Sequence, residues 1–325
     1  MWEWVPRPIE DTPIAGSPAP GRKPPEALDI LTFNIGYGGL GREADFFMDG
    51  GSQVRPPNPE VVQRNLTGVV QALAARPVDI ALLQEVDCAS SRSFGRDQPR
   101  VLVRAFPGYA YARALNFKVA WLPYPPRQPL GRVESGLLSL CAYPLLGATR
   151  YGLPNGQPWP IRVFHLKRCL HLLCLKAADG RDFAIVHLHL STFDDDGRVR
   201  KRELAFLRDL LLRLADSGQH VIAGGDWNHG FPGVERAPFH LPARKPSWFR
   251  TLPDGWAPPG WRFGFDPRTP SLRATDRPYA PGQTFVTIVD GFLVSPELEI
   301  LRVETRDLGF AHSDHHPVHL RVALR

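Results

Sequence analysis

No apolar run in the 325 residues approaches the ~20 needed to cross a bilayer, so no integral membrane segment is expected. The first residues, "MWEWVPRPIEDTPIAGSPAPGRKPPEAL", lack a basic start followed by an apolar stretch, which argues against a secretory signal. Cysteine is scarce. Cys88, Cys141, Cys169 and Cys174 lie in or beside apolar stretches and not at framework spacings, so reduced thiols of a cytoplasmic protein are expected. In "CLHLLC", strand alternation puts Cys169 and His171 on one face and Cys174 on the other, which argues against a zinc site. No internal repeat is visible. What remains is ordinary globular composition, 43% hydrophobic and 22% charged, with material for a substantial core. The net charge of +6 fits a phosphate-bearing partner, but a modest excess spread over many arginines carries little weight.

Residues 1–26 are proline-rich and without apolar period, so they read as an arm, with Trp2 and Trp4 as docking points. Residues 27–325 read as a single domain. Near-continuous apolar runs, from "LDILTFNI" and "DIALLQEV" through "GLLSLCAY", "CLHLLCLKA", "DFAIVHLHL" and "HVIAGGDWN" to "FVTIVDGFLV" and "HPVHLRVAL", read as buried strands. Two helices interrupt them. Residues 59–75 open with Pro59 and align Val62, Leu66, Val69, Val70 and Leu73, while "RKRELAFLRDLLLRLADSG" aligns Leu204, Leu207, Leu211 and Leu214 and stops at Gly218. Buried strands interleaved with covering helices make an α/β layered domain. Residues 231–283 form a long irregular loop rich in Pro, Trp and Arg. Trp248, Trp256 and Trp261 argue that it is ordered, and its Trp and Arg side chains either stack on a base, grip a head group or belong to a plain surface loop that needs no ligand.

Polar residues recur where these strands end: Asn34, Glu85, His189, Asp226 with Asn228, Asp290, and, within "AHSDHHPVHL", Asp314 and His315. His312 and His316 flank that cluster as polar turn residues. Each alone is an ordinary turn former or a satisfied histidine. Together they are harder to dismiss, because buried acids cost several kcal/mol unless they are paired, protonated or bound to a cation.

In order, "FN", "LQE", "HLHLS", "GGDWN", "VDGFLVS" and "SDHHPV" resemble the motifs of the endonuclease/exonuclease/phosphatase superfamily, which includes DNase I, exonuclease III, neutral sphingomyelinases and inositol-polyphosphate 5-phosphatases. The resemblance spans residues 28–325. It implies a four-layer α/β sandwich, two central, mostly antiparallel sheets flanked by helices. Exonuclease III and the apurinic endonucleases carry an acid or amide two residues after the Asn and a Tyr in the "HLH" region, where this chain has Gly36 and His189. That places it nearer the DNase I, sphingomyelinase and phosphatase branches. The glycine-rich "GYGGLGREADFFMDGG" after Asn34 either lets backbone amides approach a phosphate or is a flexible loop.

Oxygen donors without paired thiols suit a hard cation, Mg²⁺ foremost, with Mn²⁺ or Ca²⁺ as substitutes. The resemblance implies Glu85 as the main ligand, with Asn34 and Asp314 beside it. It also implies His315 over the phosphate and held by Asp290, Asp226 on the attacking water, and Asn228 and His189 as donors to the substrate. The expected activity is hydrolysis of a phosphodiester, in a nucleic acid or a smaller diester, by a monomer. A lipid or sugar phosphatase, or sphingomyelinase-like hydrolase, is the alternative; an inactive phosphate-binding module is a third reading.

Overall fold

Strand after strand in this chain is apolar on both faces, and the fold supplies a cover for each. The structure, a computed structural model, describes residues 3–154, 157–192, 194, 196–239 and 245–325. The chain runs through β1 (Ile9–Asp11), β2 (Ile14–Ala15), β3 (Ala27–Asn34), α1 (Pro59–Ala74), β4 (Ile80–Asp87), α2 (Gln98–Ala105), β5 (Ala110–Leu122), β6 (Gly131–Cys141) and β7 (Gly147–Gly152). It continues as β8 (Cys169–Lys176), β9 (Asp182–His189), α3 (Arg198–Asp216), β10 (His220–Asp226), β11 (Arg262–Gly264), β12 (Leu272–Arg273), β13 (Val286–Thr287), β14 (Asp290–Val294), β15 (Leu298–Thr305) and β16 (Val318–Leu324).

Two seven-stranded sheets result, ordered β1-β7-β8-β9-β10-β14-β11 and β15-β16-β3-β4-β6-β5-β2, with β12 and β13 as a separate ribbon. Leu28, Ile30 and Leu82 of the second sheet pack face to face with Phe183, Ile185, Ile222 and Phe292 of the first. Outside the second sheet, Leu66 and Val69 of α1 and Leu102 of α2 cover Leu31, Phe33 and Leu83. Outside the first, Leu204, Leu207 and Leu211 of α3 cover Val186, Leu188 and Val221. Helix, sheet, sheet, helix: this is the expected four-layer sandwich. Most pairings are antiparallel, but β3–β4 and β9–β10 are parallel. Each parallel pair is joined through a helix, as a parallel connection requires.

The helices form where local signals say they should. Asn58 caps α1 by accepting from Val61 N at 3.1 Å, with Pro59 in the first turn. The short helix α2 gave no pattern of its own; Asp97 caps it by accepting from Arg100 N at 3.1 Å. Strand β5 also escaped the sequence reading, because its inward residues Ala110, Ala112 and Ala114 are small and its outward ones include Arg113. The run "FVTIVDGFLV" is not one strand. Val286–Thr287 pairs with Leu272–Arg273, and only Asp290–Val294 joins the first sheet.

Residues 9–15 tie the N-terminal arm to both sheets, β1 pairing with β7 and β2 with β5, so the arm covers an exposed edge of each. The Trp4 ring lies 5.7 Å from the Arg150 guanidinium; Trp2 falls outside the described residues. In the 231–283 region, apart from 240–244, Trp256 and Trp261 pack against the α3-side core. Trp256 meets Trp227 edge-on at 5.7 Å, and Phe231 stacks on Phe265 at 4.8 Å. Phe231 is core, and Trp256, Trp261 and Phe265 are half-buried against it.

A polar seam runs between the sheets. Thr12 Oγ1 contacts His171 Nε2 (2.9 Å), His171 Nδ1 contacts Ser139 Oγ (3.3 Å), Ser139 contacts His187 Nδ1 (2.9 Å), and His187 Nε2 contacts Gln84 Nε2 (2.7 Å). Burial pushes His171 down to about 3 and His187 well below the usual imidazole range, so both are neutral links of this seam.

Candidate active site

Alternation on each strand decides which side chain faces the gap between the sheets. On β3 that face carries Leu28, Ile30, Thr32 and then Asn34, and on β9 it carries Phe183, Ile185, His187 and then His189. On β4 the same rule would send Glu85 outward with Ala81 and Leu83, under α1. A bulge intervenes. The β4–β6 register slips between Leu83 and Val86, and Glu85 adopts φ 55°, which turns its side chain to the rim. Such a conformation costs ~1–3 kcal/mol in a residue with a Cβ and persists where the surroundings hold it. Gly225, with φ 150°, lets β10 approach β9 so closely that a Cβ there would clash with the Leu188 carbonyl oxygen. Asp226 follows directly, level with His189 on one side and Asp290 on the other.

Asn34 Nδ2 donates to Asp226 Oδ2 at 3.0 Å and to Glu85 Oε1 at 3.3 Å, and lies 3.4 Å from His315 Nε2. Its Oδ1 accepts from Gly36 N (3.0 Å), and its carbonyl accepts from Ser313 Oγ (2.7 Å), which ties the 311–316 turn to the end of β3. His189 Nε2 is 3.2 Å from Asp226 Oδ2 and 4.0 Å from Glu85 Oε1. His315 Nδ1 and Asp290 Oδ2 are 2.8 Å apart, and Ser271 Oγ donates to the same carboxylate oxygen at 2.7 Å. Asn228, at φ 49°, donates from its backbone to Asp226 Oδ1 (2.9 Å) and from Nδ2 to the Leu190 carbonyl (2.8 Å). Asp314 is bound by Ser313 Oγ at 3.2 Å. All eight residues singled out from the sequence therefore lie on one rim.

Residues 36–41 of the glycine-rich stretch after Asn34 are buried, while residues 42–51 are mostly half-buried or exposed, and Arg273 Nη2 holds the turn by donating to Gly41 O at 2.6 Å. A Cβ at Gly36 would lie 3.0 Å from Asp314 Oδ1, so the acid or amide carried there by the apurinic endonucleases has no room here. His316 is likewise not a solvated turn residue. Its ring stacks on Phe310 at 3.8 Å, Nε2 accepts from Phe310 N (3.0 Å), and burial pushes it down to about 4. His312 packs against Gly68 of α1.

The electrostatics divide the rim. Burial alone would lower the His315 imidazole, but the carboxylates of Asp290, Asp226 and Asp314 outweigh it and hold the group up at about 10. It is an imidazolium at neutral pH. Both amide protons of Asn34 go to carboxylates, so among the described residues His315 Nε2–H meets no acceptor nearer than Asp226 at 3.7 Å. Burial, reinforced by Arg168 and His315, pushes His189 well below its usual range, so it is neutral. Burial raises Asp226, with Asp290 adding to the effect and His315 opposing it. Burial also raises Asp314 to about 7, His315 opposing and Glu85 adding.

Carboxylate oxygens with no thiolate fit a hard divalent cation, and Asn34, whose Nδ2 now faces Glu85 and whose Oδ1 accepts from Gly36 N, stands beside them. Glu85 is the accessible carboxylate, its side chain 26% exposed against 1% for Asp226 and 0% for Asp290. Asp226, Asp290 and His315 form a second group of close ligand atoms, all within 4.8 Å of one another. In that group, Asp290 already holds His315 Nδ1.

One residue next to this chemistry gave no signal in the sequence. Ser271 comes from a neighbouring ribbon and is separated by 19 positions from the Asp290 it binds.

The sequence model described as "Endonuclease/Exonuclease/phosphatase family" matches residues 31–315. No curated protein matches the chain. Solved structures share its fold. An endonuclease/exonuclease/phosphatase from Beutenbergia cavernae aligns with TM-score 0.60 and 16% identity over 92% of this chain and 72% of that one. Truncated Caenorhabditis elegans TDP2 aligns with TM-score 0.56 and 14% identity over 92% and 98%. The human Nocturnin catalytic domain with bound sulfate anion aligns with TM-score 0.53 and 16% identity over 97% of each chain.

Proposed function

The chain belongs to the endonuclease/exonuclease/phosphatase family, and on that premise we propose that it hydrolyses a phosphodiester by in-line attack of water at this rim. The observation that carries the reading is the unbroken set of contacts from Glu85 through Asn34 and Asp226 to His189 and to the His315–Asp290 pair, drawn from both sheets.

Glu85, with Asn34 and Asp314 beside it, would hold Mg²⁺, with Mn²⁺ or Ca²⁺ as substitutes, and the bound ion supplies charge that polarises a phosphoryl oxygen. Asp226, raised by burial, accepts a proton from the attacking water as its oxygen bonds to phosphorus and the ester oxygen leaves. His315 donates from Nε2 to a non-bridging oxygen, its charge maintained by Asp290 and its ring fixed by the Nδ1 contact. Asn228 keeps Asp226 in place, since its backbone N–H donates to one oxygen and its side chain to the Leu190 carbonyl. His189, neutral, steadies the other oxygen of Asp226.

Four free thiols support a reducing compartment such as the cytoplasm.

The test is release of p-nitrophenol from bis-p-nitrophenyl phosphate and from p-nitrophenyl phosphate, with Mg²⁺, Mn²⁺ or EDTA, in wild type, His315→Ala and Glu85→Ala. Metal-dependent turnover of the diester, lost in both variants, is expected. Preference for the monoester would shift the reading to a phosphatase, and no turnover by folded protein would favour a phosphate-binding module.

A further inference from the structure

Strands β5 and β6 outrun the sheet that carries them. β4 ends at Asp87, opposite Ser135, yet the β5–β6 pairing continues through Val119 with Val133 to Leu122 with Gly131. At ~3.3 Å per residue, residues 118–122 carry the hairpin roughly 16 Å past the end of β4. Because β4 brings Glu85 to the rim, this overhang projects on the side of the rim, with residues 123–130 as its tip.

Its shape is fixed by a small core of its own. Phe117, Val119, Leu130 and Val133 are buried together, and Phe47 and Phe164 pack against them. Other side chains of the overhang are apolar and uncovered: Trp121 is 52% exposed and Tyr124 55%. The Tyr124 ring lies 5.8 Å from that of Phe47, and the next residue, Met48, is exposed as well. A Cβ at Gly131 would touch both Ser91 and Trp121, which sets the Trp121 ring beside the 91–94 turn and its exposed Phe94. Single exposed apolar residues are ordinary, but aromatics and a methionine gathered at one projecting end mark a contact surface.

Charge decides what that surface meets. From Phe117 to Val133 the chain has Lys118, Arg127 and Arg132 and no acid. Lys118 and Arg132 share Glu134, at 3.6 and 3.2 Å, and Arg127 forms no ion pair among the described residues. Alongside, where Lys167 N donates to Asn116 O at 2.7 Å, residues 157–168 add the exposed Trp159 and Ile161, again without an acid. Two copies facing each other here would bring like charges together, and a projection offers no groove for a strand or a helix. Exposed Trp and Tyr among cations suit the head-group layer of a bilayer, where the rings sit half-wet and the cations meet acidic lipids.

We propose that this overhang docks the protein on an anionic lipid surface, Trp121 and Tyr124 entering the head-group layer and Lys118, Arg127 and Arg132 facing acidic head groups. The rim is then turned towards the membrane.

The experiment sediments the full chain, in EDTA, with phosphatidylcholine vesicles that contain or lack phosphatidylserine. It needs no turnover, so its outcome is independent of the hydrolytic reading. Wild type is expected to bind the phosphatidylserine vesicles about tenfold more strongly than phosphatidylcholine alone. W121A/Y124A and R127Q/R132Q should each lower that binding by about tenfold. Leu146→Ala, at an exposed apolar residue beyond the far end of β6, should leave it unchanged. Melting temperatures check that the variants fold. W121F decides where W121A/Y124A does not: it should keep the binding and lose part of the quenching of tryptophan fluorescence by brominated phosphatidylcholine, and undiminished quenching would place Trp121 outside the bilayer and overturn the proposal. No sedimentation of wild type with either vesicle would overturn it, as would equal binding to both vesicles or an equal loss in Leu146→Ala. Concentration-dependent self-association abolished by W121A/Y124A would assign the surface to a second copy and overturn it as well.

Discussion

Asp290→Asn isolates the charge that makes His315 a cation while leaving the shape of its neighbour in place. In the native site, burial lowers the imidazole and three carboxylates raise it, Asp290 most, with a net position of about 10. Asp290 is also the nearest, 2.8 Å from Nδ1, against 3.7 Å between Asp226 and Nε2. The amide can keep the contact to Nδ1 and to Ser271, but the Coulombic attraction is gone while the burial penalty remains. His315 should then titrate at about 7–8, a loss of roughly 3–4 kcal/mol of preference for the charged form. The direct assay follows the His315 ring by NMR from pH 5 to 11 in EDTA. A functional consequence follows, because the chemistry needs the imidazolium. The alkaline limb of kcat/KM should move into the neutral range, so the variant loses more activity at pH 9 than at pH 6. Stability follows the same linkage. A raised folded-state pKa contributes stability that is complete below the unfolded value near 6.5 and disappears as pH rises to about 10. Urea midpoints of wild type should therefore fall between pH 7 and 10, and those of the variant should fall less. An unchanged His315 titration in Asp290→Asn would refute the reasoning.

Glu85→Gln should remove most Mg²⁺ affinity in calorimetry and lower kcat by ~10²–10⁴-fold, with the melting temperature little changed. Gly225→Ala should cost about 2–5 kcal/mol in chemical denaturation, or prevent folding, because the Cβ has no space beside Leu188 and the backbone there is one that residues with a Cβ rarely adopt. Deleting residues 1–15 exposes an edge of each sheet and removes Thr12 from the polar seam; a lower melting temperature and concentration-dependent aggregation by light scattering are expected. Replacing Trp256 with Ala should cost about 1–3 kcal/mol of stability in chemical denaturation, since the half-buried ring packs edge-on against Trp227 and stacks on Phe263.

The inner strands were legible because burial on both faces writes a continuous apolar run, and α1 and α3 because one leucine- and valine-rich stripe repeats every three or four residues. Local pattern failed where the signal is small or the contact is distant. Strand β5 faces the core with alanines, and α2 is only eight residues long. The polar strand ends marked the rim, yet nothing near Glu85 in the sequence discloses the bulge that turns it there, because register against β6 decides it. Ser271 was missed for a related reason: it gains its meaning from Asp290, which the fold brings to it. The tryptophans of 231–283 were open to several readings in sequence, since the same side chain stacks on a base, grips a head group or sits in a plain surface loop; the fold adds their half-buried packing against the core beneath α3.

The site is also where the two sheets are joined by polar contacts. Asn34 to Asp226 crosses from the second sheet to the first, as do Glu85 to His189 and His315 to Asp290. One step deeper, Gln84 to His187 crosses as well. Below that level the same faces carry Leu28, Ile30, Phe183 and Ile185, so the interface changes from apolar to polar at the ends of the two parallel pairs. Parallel pairing is what makes this possible: β3 with β4, and β9 with β10, each finish side by side, and the strands that begin beside them, β14 and β16, bring Asp290 and His315 to the same edge. The apolar core fixes the separation of the sheets, and the acids and histidines above it are held at hydrogen-bonding distance by that separation and not by their own attraction, which would otherwise be offset by the cost of gathering like charges. The same arrangement that raises Asp226 and keeps His315 charged is therefore supported by packing remote from the chemistry.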